Sequence, residues 1–135
     1  MAESASHMRL VQSLVAWIAA EYFGGESKHI LVDAPEKSPQ SKPPCIGGAV
    51  PDAAAYLPSG GIVIGEAKTS RDIENRHTEG QFCTFLRFCK FHEDSVLVVA
   101  VPWPAEALAK NRLKFLKRRD GLATVRTVVL ERLSG

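Results

Sequence analysis

Asp52, Glu66 and Lys68 are the residues of this sequence whose types and spacing suggest chemistry. "PDAAAYL" (51–57) and "GIVIGEAK" (61–68) flank a short proline-serine-glycine connection and read as the two antiparallel strands of a hairpin. Pairing them symmetrically about Ser59 sets Tyr56 opposite Ile62 and Asp52 opposite Glu66. Directly opposed residues have Cβ atoms about 5 Å apart, where two like charges repel. A divalent cation offsets that repulsion, because Mg²⁺ takes hard oxygen ligands, commonly one or two carboxylates with waters and phosphate oxygens. Strand alternation points Lys68 to the face of Glu66, where an ammonium stabilises charge developing on phosphorus or helps a metal-activated water lose its proton. Ala67 faces away, which leaves its backbone carbonyl as a further metal ligand. The competing reading of the three charges is an ordinary salt bridge at a strand end.

The elements around the hairpin must bring any further groups to it. From Met8 to Phe23 the residues Leu10, Val11, Leu14, Val15, Ile18 and Tyr22 recur at helical spacing, and Gly24-Gly25 supplies a stop. With Leu10 at zero, the apolar stripe reaches about 140° and Glu21 falls near 20°, inside it. A carboxylate in an apolar stripe wants a partner or a metal, so Glu21 is expected to complete an acidic cluster with Asp52 and Glu66, the alternative being a frayed helix end in water. "NRHTEGQFCTFLRFCKFH" carries Phe82, Phe85, Leu86 and Cys89 on one helical face, with Gln81 on its flank, within reach of the same site or capping a backbone group. Arg71, Arg76 and His77 precede Gln81 and are candidates for a phosphate backbone, against the plain reading of solvated side chains.

"HILVDAP" (29–35) reads as a short strand, residues 36–48 as a proline- and glycine-rich loop, "SVLVVAVP" (95–102) as a strand buried on both sides, and "TVRTVVLE" (124–131) as a last strand. A helix opens at Pro104 and runs to about Arg119, with Gly121 ending it. The order helix, three strands, helix, strand, helix, strand predicts an α/β fold, a mixed sheet flanked by helices.

"PD" (51–52), thirteen residues, then "EAK" (66–68) resembles the PD-(D/E)XK nuclease signature. That superfamily spans restriction endonuclease-like, Holliday junction resolvase-like and VRR-type nucleases. The resemblance implies a restriction-endonuclease-like core in the order αβββαβ(αβ), with Asp52, Glu66 and the Ala67 carbonyl ligating Mg²⁺ or Mn²⁺. It further implies that Lys68 serves the hydrolytic water and that Glu21 matches a first-helix acid. Gln81 followed by Phe85 resembles a Gln-x-x-x-Tyr motif of RecB-like members, with phenylalanine in place of tyrosine. The implied activity is a Mg²⁺-dependent deoxyribonuclease acting on duplex or branched DNA, RNA staying open, alone or as a homodimer or part of a larger complex.

Bulk properties fit this expectation without selecting it. The chain has 135 residues, room for one domain over 8–135, and a formal net charge of +2, too small to argue a polyanion partner alone. Lys110, Arg112, Lys114, Lys117, Arg118 and Arg119 form the most basic stretch, but they spread around their helix. Three cysteines without C-x-x-C spacing point to neither a disulfide framework nor a zinc site, which suits the cytoplasm. No apolar run approaches the length of a membrane helix. Ser6-His7-Met8 looks like a cloning junction, so residues 1–7 are expected to be a tail or vector-derived, and His7 to have no role. Two rival readings remain: a catalytically inactive nuclease-like domain that binds nucleic acid or protein, and a small interaction domain whose charges form a surface network.

Overall fold

The structure, a computed structural model, describes residues 5–132. Its elements run α1 (Ala5–Tyr22), β1 (Leu31–Val32), β2 (Ala53–Tyr56), β3 (Ile62–Ala67), α2 (Arg76–Lys90), β4 (Val96–Pro102), α3 (Glu106–Arg119) and β5 (Arg126–Arg132). Short 3-10 turns fall at Pro39–Ser41 and Trp103–Ala105. The strands form a sheet in the order β1-β2-β3-β4-β5, antiparallel from β1 to β3 and parallel from β3 to β5. This is a five-stranded mixed sheet flanked by helices. No helix among the described residues is long and apolar enough to cross a membrane.

Burial explains the layering. Strands β3 and β4 have neighbours on both sides and lack polar residues along most of their length, so each face needs a helical cover. On one face Leu10, Leu14 and Ile18 of α1 pack on Val63, Ala67, Val98 and Ala100. On the other, Phe82, Phe85 and Leu86 of α2 and Leu113 and Leu116 of α3 cover Ile62, Ile64, Leu97 and Val99. Two successive crossovers of the same hand, β3-α2-β4 and β4-α3-β5, put α2 and α3 together, while α1 takes the opposite face. Glu66 continues the Ile62, Ile64 series and therefore belongs to the α2 face.

Helix ends are set by identifiable residues. Asn75 caps α2, its side chain accepting from the Thr78 amide at 2.7 Å. Asn75→Ala is expected to cost about 1 kcal/mol, read by urea denaturation. Past α1, Gly24 and Gly25 adopt positive φ, and the Gly25 amide returns to the Ala19 carbonyl, a left-handed helix stop. At Gly61 an added Cβ would sit 2.4 Å from the Asp94 carbonyl oxygen. Since that neighbour is backbone, Gly61→Ala is expected to lower stability by about 1–3 kcal/mol, measured as a fall in melting temperature.

Two expectations are corrected here. Helix α1 begins at Ala5 rather than Met8, so residues 5–7 belong to the fold; residues 1–4 lie outside the described part. The first strand is only two residues long, because Pro35 follows closely and β2 offers it just Ala53 and Ala54 as partners. Cys83 and Cys89 are buried free thiols, and burial pushes Cys89 up to about 12, which keeps it an inert core group.

Candidate active site

The hairpin register is Tyr56 opposite Ile62 through Ala53 opposite Gly65, which carries Asp52 to Glu66 one step further. There the main-chain ladder gives way to side chains. The Asp52 amide donates to Glu66 Oε1 at 3.0 Å, and the Ala67 amide donates to Asp52 Oδ2 at 2.8 Å. Each acid thus clasps the backbone of the opposite strand. Lys68 follows on the same face as Glu66: its Nζ lies 3.5 Å from Glu66 Oε2 and donates to Gln81 Oε1.

Gln81 reaches Lys68 because the turn between β3 and α2 is held at both ends. Its Ile73 is buried, Thr69 Oγ1 donates to Asp72 Oδ2, and Asn75 Nδ2 donates to Asp72 Oδ1. The first turns of α2 therefore stand over the C-terminal end of β3. Phe85, one turn beyond Gln81, is fully buried in the core under α2.

The electrostatics are unbalanced. Glu66 is 2% exposed, and its carboxyl is pushed up to about 8, first by burial and then by Asp52, with Lys68 opposing. Two acids and one ammonium, with the His7 ring beside Asp52, meet in a largely dry place, so ionising both acids together calls for an additional positive charge. Among the described residues, however, no group of three or more His, Cys, Asp and Glu side chains is arranged to hold a metal ion. Asp52 and Glu66 suit Mg²⁺ or Mn²⁺ as donors nonetheless, since such ions commonly take only one or two carboxylates and fill the other positions with water and phosphate. The Ala67 amide is engaged by Asp52, and its methyl group packs toward α1.

Glu21 is not brought to this site. It is exposed in the last turn of α1, fourteen residues after His7, or about 21 Å along the axis. Its neighbour Tyr22 accepts from Arg126 at the start of β5, the opposite end of the parallel strands. The helix crosses the sheet obliquely: buried positions move from Leu10 and Leu14 to Ile18 and Ala19, turning the face about 110° away from Glu21. Arg71, Arg76 and His77 are exposed along the turn and at the start of α2, and their side chains make no hydrogen bond or ion pair among the described residues.

Sequence reasoning passed over His7. Its Nε2 lies 3.4 Å from Asp52 Oδ2, with the two side chains 18% and 15% exposed. A signal existed, for His7 falls near 60° on the wheel, within the apolar stripe of α1. His7 therefore stands in α1 beside Asp52, where a tail was expected.

No family model, no curated protein and no solved structure matches the chain.

Proposed function

We propose that the chain is a divalent-metal-dependent deoxyribonuclease of the PD-(D/E)XK type, hydrolysing DNA phosphodiester bonds. The observation that carries this reading is the meeting of Asp52, Glu66 and Lys68, with Gln81 behind the lysine, at one end of a hairpin. The element order αβββαβ(αβ), which the resemblance implies for a restriction-endonuclease-like core, supports it.

Asp52 and Glu66 would hold Mg²⁺, or Mn²⁺ in its place, through the carboxylate oxygens left after their amide bonds, with the Ala67 carbonyl beside them. Bound there, the ion supplies Lewis-acid charge to the phosphate and lowers the pKa of water. Gln81 fixes the Lys68 ammonium, which would steer the attacking water and balance charge on the phosphorane. His7 holds Asp52 from the α1 side. Arg71, Arg76 and His77, exposed along the turn and at the start of α2, would take DNA phosphates, and a homodimer or larger complex would supply the rest of the substrate surface.

One observation favours a second reading. Each acid already accepts a backbone amide, and two side-chain carboxylates are a sparse ligand set. In that reading the domain is catalytically inactive and holds nucleic acid or protein. A panel of linear, circular, forked and four-way DNA with Mg²⁺ or Mn²⁺ decides between them. Nuclease action gives cleavage that EDTA stops; intact DNA in every lane, together with retained DNA binding, gives the second reading.

A further inference from the structure

Strand β5 closes the sheet, and nothing among the described residues pairs with its outer edge. Sheet edges are ordinarily blunted by proline, charge or a bulge. The stretch Thr127–Leu130 carries none of these; charge stands only at Arg126, Glu131 and Arg132. Its side chains are half-buried, unlike the fully covered residues of β4.

Beside this edge runs a groove of about 420 Å³ between α3 and β5. Leu113, Val129 and Ala123 make an apolar floor, and Lys110, Lys114, Lys117 and Arg118 line it. The acids near its upper end are occupied: Glu106 takes Lys110 at 3.3 Å, and Glu131 stands beside Glu106, which pushes its carboxyl up. Arg112 and Arg119 are engaged by Glu79 and Asp120. The side chains of Lys114, Lys117 and Arg118 make no ion pair or hydrogen bond among the described residues.

We infer that this edge and groove are a docking surface for an extended peptide segment with alternating acidic and apolar residues, added as a sixth strand beside β5. An open strand edge presents donors and acceptors in alternation, which another strand satisfies completely and a phosphate chain does not. Alternation divides the added strand between the two faces of the sheet. Its carboxylates, on the α3 face beside Thr127 and Val129, reach Lys114, Lys117 and Arg118, and its apolar residues, on the α1 face, extend the apolar surface of Val128 and Leu130. Pairing of β5 with β5 of a second copy is disfavoured, because it would bring two such cation sets together. The inference is independent of the nuclease reading, since none of these groups belongs to the candidate active site.

The test uses the full chain and a fluorescent peptide of alternating valine and glutamate, about eight residues to match β5. Its companions are the valine-lysine counterpart and a short DNA duplex. The glutamate peptide is expected to bind, to slow amide exchange in β5, and to weaken about tenfold in K114E/K117E, two rim pairs' worth, while the lysine peptide does not bind. Failure of the glutamate peptide to bind overturns the inference. So does binding that leaves β5 exchange unchanged, duplex binding that K114E/K117E alone abolishes, or self-association lost in the same variant.

Discussion

Lys68→Met is expected to lower magnesium-dependent DNA cleavage by about 10²–10³-fold, measured as initial rate at saturating metal. Methionine keeps the length and apolar stem of the lysine while removing the charge that lies 3.5 Å from Glu66 Oε2. A loss of this size in the rate of the folded enzyme belongs to a group acting where charge develops, whereas loss of the largely buried pair with Glu66 acts on folding and is read separately by urea denaturation. Among the described residues Lys68 is the one cation placed against Glu66, and its amine has no other acid partner. The substitution removes no large core contact, so circular dichroism of the variant should match the parent. Asp52→Asn is expected to lose cleavage to a similar degree through metal occupancy, which raising the metal concentration partly restores. A Lys68→Met variant that cuts at the parental rate would make the amine a structural partner only.

The second large effect is a pH dependence of stability that a divalent cation removes. In the metal-free protein the Glu66 carboxyl stands near 8 against an ordinary 4.5, so the folded state holds a proton that the unfolded chain has released. The stabilisation from that bound proton is fully present below about 4.5 and is lost as pH rises through 8. Each unit of difference corresponds to about 1.4 kcal/mol, so the change across the window amounts to several kcal/mol as an order of magnitude. Urea denaturation in EDTA should show stability falling from pH 5 toward pH 9. Excess Mg²⁺ should flatten the fall, because the ion replaces the proton as the neutraliser of the two acids. Glu66→Gln should flatten it without metal. A flat profile for the parent in EDTA would mean that the carboxyl is not strained by its surroundings.

The hairpin was the most legible part of the sequence. A short turn and period-two alternation fix the register, and with it Asp52, Glu66 and Lys68, because a one-residue slip would move every side chain to the other face. Gln81 was readable from its place on the flank of an otherwise apolar helical stripe, for α2 must cover the strand that precedes it. Glu21 and His7 went the other way for one reason. A helical wheel reports direction around an axis but not height along it, nor how the helix crosses the sheet. Both fall on the wheel's apolar side, yet His7 lies at the end that meets Asp52 and Glu21 at the end that meets β5. The resemblance of Ser6-His7-Met8 to a cloning junction hid a turn of helix that packs beside the acids. Which lysines of α3 are satisfied was equally beyond the sequence, since Arg112 finds Glu79 on α2, thirty-three positions away.

The central claim is that Asp52 and Glu66 share one divalent cation. Calorimetric titration of the full chain with Mn²⁺ and Mg²⁺ near pH 7, in two buffers of different ionisation heat, reads it most directly. The expected result is a single site whose occupation releases a proton from Glu66, with binding strongly weakened in Asp52→Asn and in Glu66→Gln. Absence of binding heat at millimolar metal, or binding unchanged in both variants, would contradict it.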